Sequence, residues 1–236
     1  MKNRIFVIAV SLIVGLGVFS FTTKTENEPC KSYIPYKEGI KMVYTNYNPK
    51  DKVESSSEVT VKSINEVAGK VTFELHSIIK DKKGEVIMEN DMESYCENGI
   101  FHFSLDDMMQ QLTSAYKDMD VKMTQKEIQL PGTLSEGMKL ADGEMNMVIS
   151  ASGMKVMDMT VTVMDRTVEG FETIETTAGT FKCAKITSKI QVDMGFMKRD
   201  SYSTDWYALD FGMIRSESYN DKKKLESYTL LTKMDN

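Results

Sequence analysis

Apolar and polar residues alternate with a period of two along most of this chain, and that alternation limits the fold more than any other feature. Val71, Phe73 and Leu75 share one face of a segment whose other face carries Thr72, Glu74 and His76. Met157, Met159, Val161 and Val163 alternate in the same way with Asp158, Thr160 and Thr162. Ala184, Ile186, Ile190 and Val192 again fall on one face. Successive side chains of a strand point to opposite faces, so this spacing marks half-buried β-strands. Turn signals bound the segments: Asn48-Pro49-Lys50-Asp51, Asp81-Lys82-Lys83-Gly84, Glu97-Asn98-Gly99, Ala178-Gly179 and Asn220-Asp221-Lys222-Lys223. Asn-Gly is the strongest short hairpin signal among them. Strands are predicted over 41–47, 54–67, 70–79, 86–96, 100–103, 121–130, 144–150, 155–171, 180–192 and 225–232. A long hairpin from Met197 to Tyr219 holds the only Trp, Trp206.

Short connections imply antiparallel neighbours. A sheet of roughly a dozen strands must protect two edges, by curling shut or by being covered. The expected fold is therefore all-β, a strongly curved antiparallel sheet or barrel. One stretch departs from the strand rhythm. Ser104-Leu105-Asp106-Asp107 fits a helix N-terminal capping pattern with Asp in place of Glu. Leu105, Met108, Met109, Leu112 and Tyr116 then form one helical stripe. The spacing predicts one inserted α-helix over about 105–116, packed in the mouth of the barrel or on the concave face of the sheet. Two lobes split near 132–143 are a second arrangement the sequence allows.

The N-terminus reads as a targeting segment. Lys2 and Arg4 precede an uncharged, mostly apolar run from Ile5 to Phe21, and Val18-Phe19-Ser20 places small residues for cleavage after Ser20. That is the pattern of a secretory signal peptide over 1–20. A retained anchor is the competing reading, because the run is near bilayer-spanning length. A lipoprotein box is absent, since Asn27-Glu28-Pro29 precede Cys30. Residues 21–32 are polar and expected to be flexible, and 33–236 form a single β-rich domain. The expected location is periplasmic or secreted, with the membrane met only during export.

Export puts three cysteines in a compartment where disulfides persist. Cys30 with Cys96 would tether the N-terminus to the sheet and leave Cys183 free. Three unpaired cysteines are the alternative. The formal net charge is −6, with no basic block in the sequence. This argues against nucleic acid and anionic membrane surfaces as partners.

Catalytic signatures are hard to find. His76 lies on the polar face of its strand and His102 points away from Phe101 and Phe103, so both read as surface histidines. Neither has a nominated Ser or Cys partner. No nucleophile elbow, zinc-protease, P-loop or dinucleotide pattern occurs. Methionine is abundant, 19 in all. Met145-x-Met147 and Met157-x-Met159 place thioethers on strand faces, and thioether suits Cu(I). No His or Cys accompanies them, so no metal or cofactor is expected, and these methionines read as core or as the lining of an apolar cavity.

Several motifs together resemble the TapB-like family of exported bacterial proteins, itself related to a broader exported β-sheet domain of unknown function. They are Tyr33-Ile34-Pro35-Tyr36-Lys37-Glu38-Gly39, Cys96-Glu97-Asn98-Gly99, Ala178-Gly179-Thr180-Phe181-Lys182-Cys183, Trp206-Tyr207-Ala208 and Gly212-Met213-Ile214-Arg215-Ser216-Glu217-Ser218-Tyr219. The resemblance spans nearly the whole chain after residue 32 and implies a curved or barrel-like antiparallel sheet without implying catalytic residues. Leu209-Asp210-Phe211 departs from the family's usual hairpin turn. A more distant architectural likeness is to the lipoprotein carriers LolA and LolB, half-open barrels with a helical lid; fold analogy alone does not give function. The functional expectation is a non-enzymatic binding module for an apolar or acyl ligand or a cell-envelope partner, with Met108, Met109, Leu112 and Tyr116 as the helix side of the site. The plainer reading of those four is core. A structural or interaction protein of the envelope without a ligand cavity is the alternative, and a hydrolase with an unrecognised site is the weakest.

Overall fold

The computed structural model describes residues 30–104 and 119–235, and every regular element among them is a β-strand. In chain order these are β1 (Lys41–Tyr47), β2 (Val53–Val67), β3 (Lys70–Asp81), β4 (Val86–Glu97), β5 (Ile100–Phe103), β6 (Asp120–Lys126), β7 (Ile128–Pro131), β8 (Gly143–Ala151), β9 (Met154–Thr176), β10 (Gly179–Asp193), β11 (Lys198–Ala208), β12 (Gly212–Tyr219) and β13 (Leu225–Asp235). All belong to one antiparallel sheet, ordered β6-β8-β9-β10-β11-β12-β13-β1-β2-β3-β4-β5-β7. Its two outermost strands, β6 and β7, are separated in sequence by Glu127 alone. One nearly continuous strand thus pairs with β8 through its first half and with β5 through its second. The sheet curls into a nearly closed barrel, which answers the edge problem by strand pairing.

This corrects the expected fold. The described residues are all-β and form a nearly closed 13-stranded barrel with no helix among them, and the edges are closed by β6 and β7. The stretch Leu105–Tyr116 lies outside the described residues.

Local chemistry sets the turns. Asn98 and Gly99 both take positive φ, 51° and 74°, as a two-residue hairpin loop that follows the twist of its strands requires. With strand directions alternating, the connections at 68–69, 98–99, 132–142, 177–178 and 209–211 share one end. Those at 48–52, 82–85, 152–153, 194–197 and 220–224 share the other.

The first end is closed by the chain before β1. Ser32 is 1% exposed, and its carbonyl accepts from the Asp210 amide at 2.8 Å. Tyr33 donates its hydroxyl to the Pro131 carbonyl at 3.0 Å. Gly212 permits this packing, since a β-carbon there would lie 2.8 Å from the Tyr33 carbonyl oxygen. Above the plug, Phe73, Phe101, Leu130, Val61 and Leu231 are fully buried. Phe101 makes an edge-on contact with Tyr33 at 6.2 Å, and Phe103 of β5 reaches Tyr207 of β11, also at 6.2 Å. β5 and β11 are far apart in the sheet order, so this pair meets across the barrel interior. The disulfide Cys30–Cys96 ties the plug to β4.

Candidate functional site

Above the aromatic core, the inner wall on the β7–β8–β9 side turns aliphatic. Phe103, Ile128, Met145, Val161 and Val163, with Gly143, Lys126 and Glu144 at its margin, line a half-open cavity of about 230 Å³. Register explains the wall: Gly143 pairs with Val163 and Met145 with Val161. The two methionine pairs singled out in the sequence are neighbours here. Met147 pairs with Met159 on one side and Met123 on the other, making a row of three thioethers across β6, β8 and β9. Gly143 is required by close approach, because a β-carbon there would lie 2.6 Å from Cγ1 of Ile128.

A polar cluster lies deeper, between β9 and β12. Asp205 accepts from Ser203 at 2.9 Å and from Ser216 at 2.6 Å. Burial pushes its carboxyl above the ordinary range, and the two hydroxyls and the Arg166 charge only partly offset this. Arg166 is 4% exposed. Its Nη1 donates to the carbonyls of Gln129 at 3.1 Å and Ala141 at 2.7 Å. Burial lowers the guanidinium's basicity, while Tyr207, Asp205 and Asp142 raise it. The phenols of Tyr207 and Tyr44 are both raised by burial. Arg166 thus satisfies backbone carbonyls beside β7 while its charge faces Asp205 and Tyr207.

Ser203 and Ser216 donate to a carboxylate, and no imidazole takes part in their bonding. His76 pairs with Asp91 at 2.8 Å and Glu89 at 3.3 Å on another wall. His102 is less exposed than expected. Its side chain is 12% exposed, stacks on Tyr95 with centroids 4.4 Å apart, and meets Glu127 at 2.9 Å. Glu127 also accepts from the Tyr95 hydroxyl at 2.7 Å. Cys183 is free and fully buried, and burial, aided by Glu172, pushes its thiol up to about 12. Trp206, 5% exposed, donates its indole N–H to Glu172. It is packed as part of the wall.

The four proposed ligand contacts, Met108, Met109, Leu112 and Tyr116, lie outside the described residues. The expected pair Cys30 and Cys96 is joined. Sequence reading missed Arg166 and Asp205. The available signal was positional: Arg166 falls two residues before the core residue Val168, and Asp205 falls two before Tyr207, so a charge interrupts an inward-facing row in each strand.

The family model described as DUF3108-like matches residues 37–231, nearly the whole barrel. The chain belongs to the DUF3108-like family. No protein of curated function matches its sequence. Among solved structures, the DUF3108-like chain is similar to a Bacteroides fragilis protein described as exported and of YmcC-like fold. The identity is 25% and the TM-score 0.70, covering 88% of this chain and 100% of that one. It is also similar to a Parabacteroides distasonis protein described as a lipoprotein, at 22% identity and TM-score 0.71, covering 87% and 99%. The fold is shared with both. These neighbours agree with a periplasmic or secreted location for the chain.

Proposed function

We propose that this DUF3108-like protein, a TapB-like member by the motifs quoted above, is a non-enzymatic extracytoplasmic binding module that takes an apolar or acyl ligand into the barrel. The observation that carries the reading is the cavity walled by Phe103, Ile128, Met145, Val161 and Val163. Its walls are aliphatic and aromatic, and methionine adapts to flexible chains. Pockets for whole small ligands run to roughly 300–1,000 Å³. At about 230 Å³ the cavity suits part of an acyl chain, with the rest of the ligand extending away from the Ser32–Tyr33 plug. The bonding of Ser203 and Ser216 to a carboxylate, remote from both histidines, favours binding over hydrolysis.

The test is native mass spectrometry of protein purified from its own cell envelope, paired with displacement of a fluorescent fatty-acid probe. A co-purifying acyl mass is expected. Val161→Trp, which fills the cavity, is expected to weaken probe binding about tenfold, the loss of about 1.4 kcal/mol, without lowering the unfolding midpoint. A ligand-free protein that binds no probe would sink the proposal.

A further inference from the structure

The outer face of the barrel wall carries a second cavity. On β10 and β11, Thr187, Lys189, Tyr202 and Thr204 alternate with the buried Ile186, Ser188 and Ser203, so they face outward. Register sets Thr187 beside Thr204, Lys189 beside Tyr202, and Tyr202 beside Tyr219 of β12. With Asp165 and Glu169 of β9 and Lys223 of the 220–224 turn, these side chains line a half-open cavity of about 440 Å³. That volume lies within the roughly 300–1,000 Å³ of small-ligand sites.

A bulge and a turn build its two rims. Thr187 pairs with Thr167 but Lys189 pairs with Met164, so β9 sets two residues, Asp165 and Arg166, opposite Ser188. The bulge changes the phase of the strand. Val163 lines the inner cavity, and beyond the bulge Arg166 and Val168 are the buried residues. Asp165, at φ 55°, stays exposed on the outside. Bulges re-aim side chains in this way and are over-represented beside functional sites. On the other rim, the Asn220 side-chain oxygen accepts from the amides of Lys222 and Lys224, both at 3.0 Å. Lys223 between them, at φ 56°, is carried over the Tyr202 ring, 5.1 Å from its centroid.

The charges of the lining cancel, Asp165 and Glu169 against Lys189 and Lys223. Lys189 is also paired with Asp200 at 2.8 Å, and Glu217, bonded by Tyr219, is matched by Arg215. Counting these neighbours leaves one acid in excess, which disfavours an anion. Among the described residues no group of acids, histidines or cysteines is arranged to hold a metal ion. An acyl chain would leave the polar groups without partners, at a cost for each. The carboxylates accept, the ammonium groups donate, and the threonine hydroxyls do both. The two tyrosine rings add apolar area. The complement is an uncharged molecule whose many hydroxyls donate and accept and whose C–H faces are apolar. A sugar ring has that chemistry.

We propose that this outer pocket binds a neutral saccharide, with Tyr202 and Tyr219 against its C–H face and Asp165, Glu169 and Lys223 bonding its hydroxyls. The pocket lies on the opposite face of the sheet from the acyl cavity, so the two readings stand or fall separately.

The experiment is binding of the purified protein to an array of neutral, amino, uronic and sulfated oligosaccharides, followed by calorimetric titration of the strongest neutral glycan. Neutral glycans are expected to bind, with affinity changing by less than about twofold as salt is raised from about 0.05 to 0.5 M. Tyr202→Ala, and separately Asp165→Asn combined with Glu169→Gln, are each expected to weaken binding about tenfold. Tyr202→Phe keeps the ring and should bind within about threefold of wild type. Val67→Ser, at an exposed position outside the pocket, should leave binding unchanged, with circular dichroism confirming the fold of each variant. Absence of binding to every neutral glycan overturns the proposal, as does binding indifferent to both Tyr202→Ala and the paired acid substitutions. A preference for sulfated or uronic glycans that salt abolishes also overturns it and assigns the pocket to anions.

Discussion

Arg166 of β9 donates a hydrogen bond to the backbone carbonyl of Gln129 on β7 at 3.1 Å, across the seam where the barrel closes. The same nitrogen bonds the Ala141 carbonyl at 2.7 Å. β7 pairs only with β5, so its other edge would present unpaired carbonyls inside the molecule without this side chain. The flanking segment is held by backbone pairing as well, with Leu140 donating to Arg166 and Val168 to Met138, both at 2.9 Å.

Replacing Arg166 with Met keeps the bulk and removes the donors. Each buried carbonyl left unsatisfied costs about 1–3 kcal/mol, and Asp205 loses its compensating charge. Relief from desolving the guanidinium offsets part of this. Arg166→Met is expected to destabilise by about 3 kcal/mol, read as a shift in the urea midpoint at unchanged slope. A shift below about 0.5 kcal/mol would show that the seam holds without the latch.

Gly143 and Ile128 make a second test of the seam. A β-carbon at 143 would lie 2.6 Å from Ile128 Cγ1, so Gly143→Ala forces β7 and β8 apart or pushes Ile128 off its rotamer. The expected cost is about 1–3 kcal/mol. Ile128→Ala in the same chain removes the clashing atoms, and the double variant should be more stable than the sum of the single effects predicts. Simple additivity in thermal or chemical denaturation would refute the contact.

Asp205 gives a pH dependence with a definite sign. Burial raises its folded-state value above the ordinary 3.8, so the folded protein binds this proton more tightly than the unfolded chain does. Its contribution to stability is fully present below the ordinary value and is lost as pH rises through the folded value. Asp205→Asn removes that loss. The variant is expected to gain on wild type as pH rises above 3.8, in parallel urea titrations at a series of pH values. A difference constant with pH would mean the carboxyl does not titrate in the folded protein as its burial requires.

The cysteines are expected to behave oppositely. Cys183 is buried with its thiol raised to about 12, so the native protein should react with a thiol reagent only at the rate of unfolding. Cys30 and Cys96 close a loop with sequence separation 66. Cys30→Ser with Cys96→Ala is expected to lower stability by about 3–4 kcal/mol, mainly by freeing the unfolded chain. Rapid labelling of Cys183 in folded protein, or a negligible effect of the double substitution, would contradict these assignments.

Much of the barrel is legible in the chain because strand formation and turn chemistry are local. The first strand was expected at 41–47 and is found there, as is the short strand at 100–103. The strand expected over 121–130 shows where local reading stops. Its strand-like composition reads as one strand, although the apolar positions change phase across Glu127, from Val121 and Met123 to Ile128 and Leu130, and the structure gives β6 and β7 to opposite edges of the sheet. Nothing in the residues 120–131 says which neighbours they pair with. The cavity wall is similar. Met145, Met147, Met157 and Met159 were visible as pairs on strand faces, but only the register sets Met147 against Met159 and Met123.

The sequence by itself determined that this is an exported-type, β-rich chain with short antiparallel connections, because periodicity, turn residues and composition act over a few residues. The tertiary structure decided how the sheet closes and that the charges of Arg166 and Asp205 are brought together inside it. Those outcomes depend on pairing and curvature over the whole sheet, which join residues that no local pattern relates.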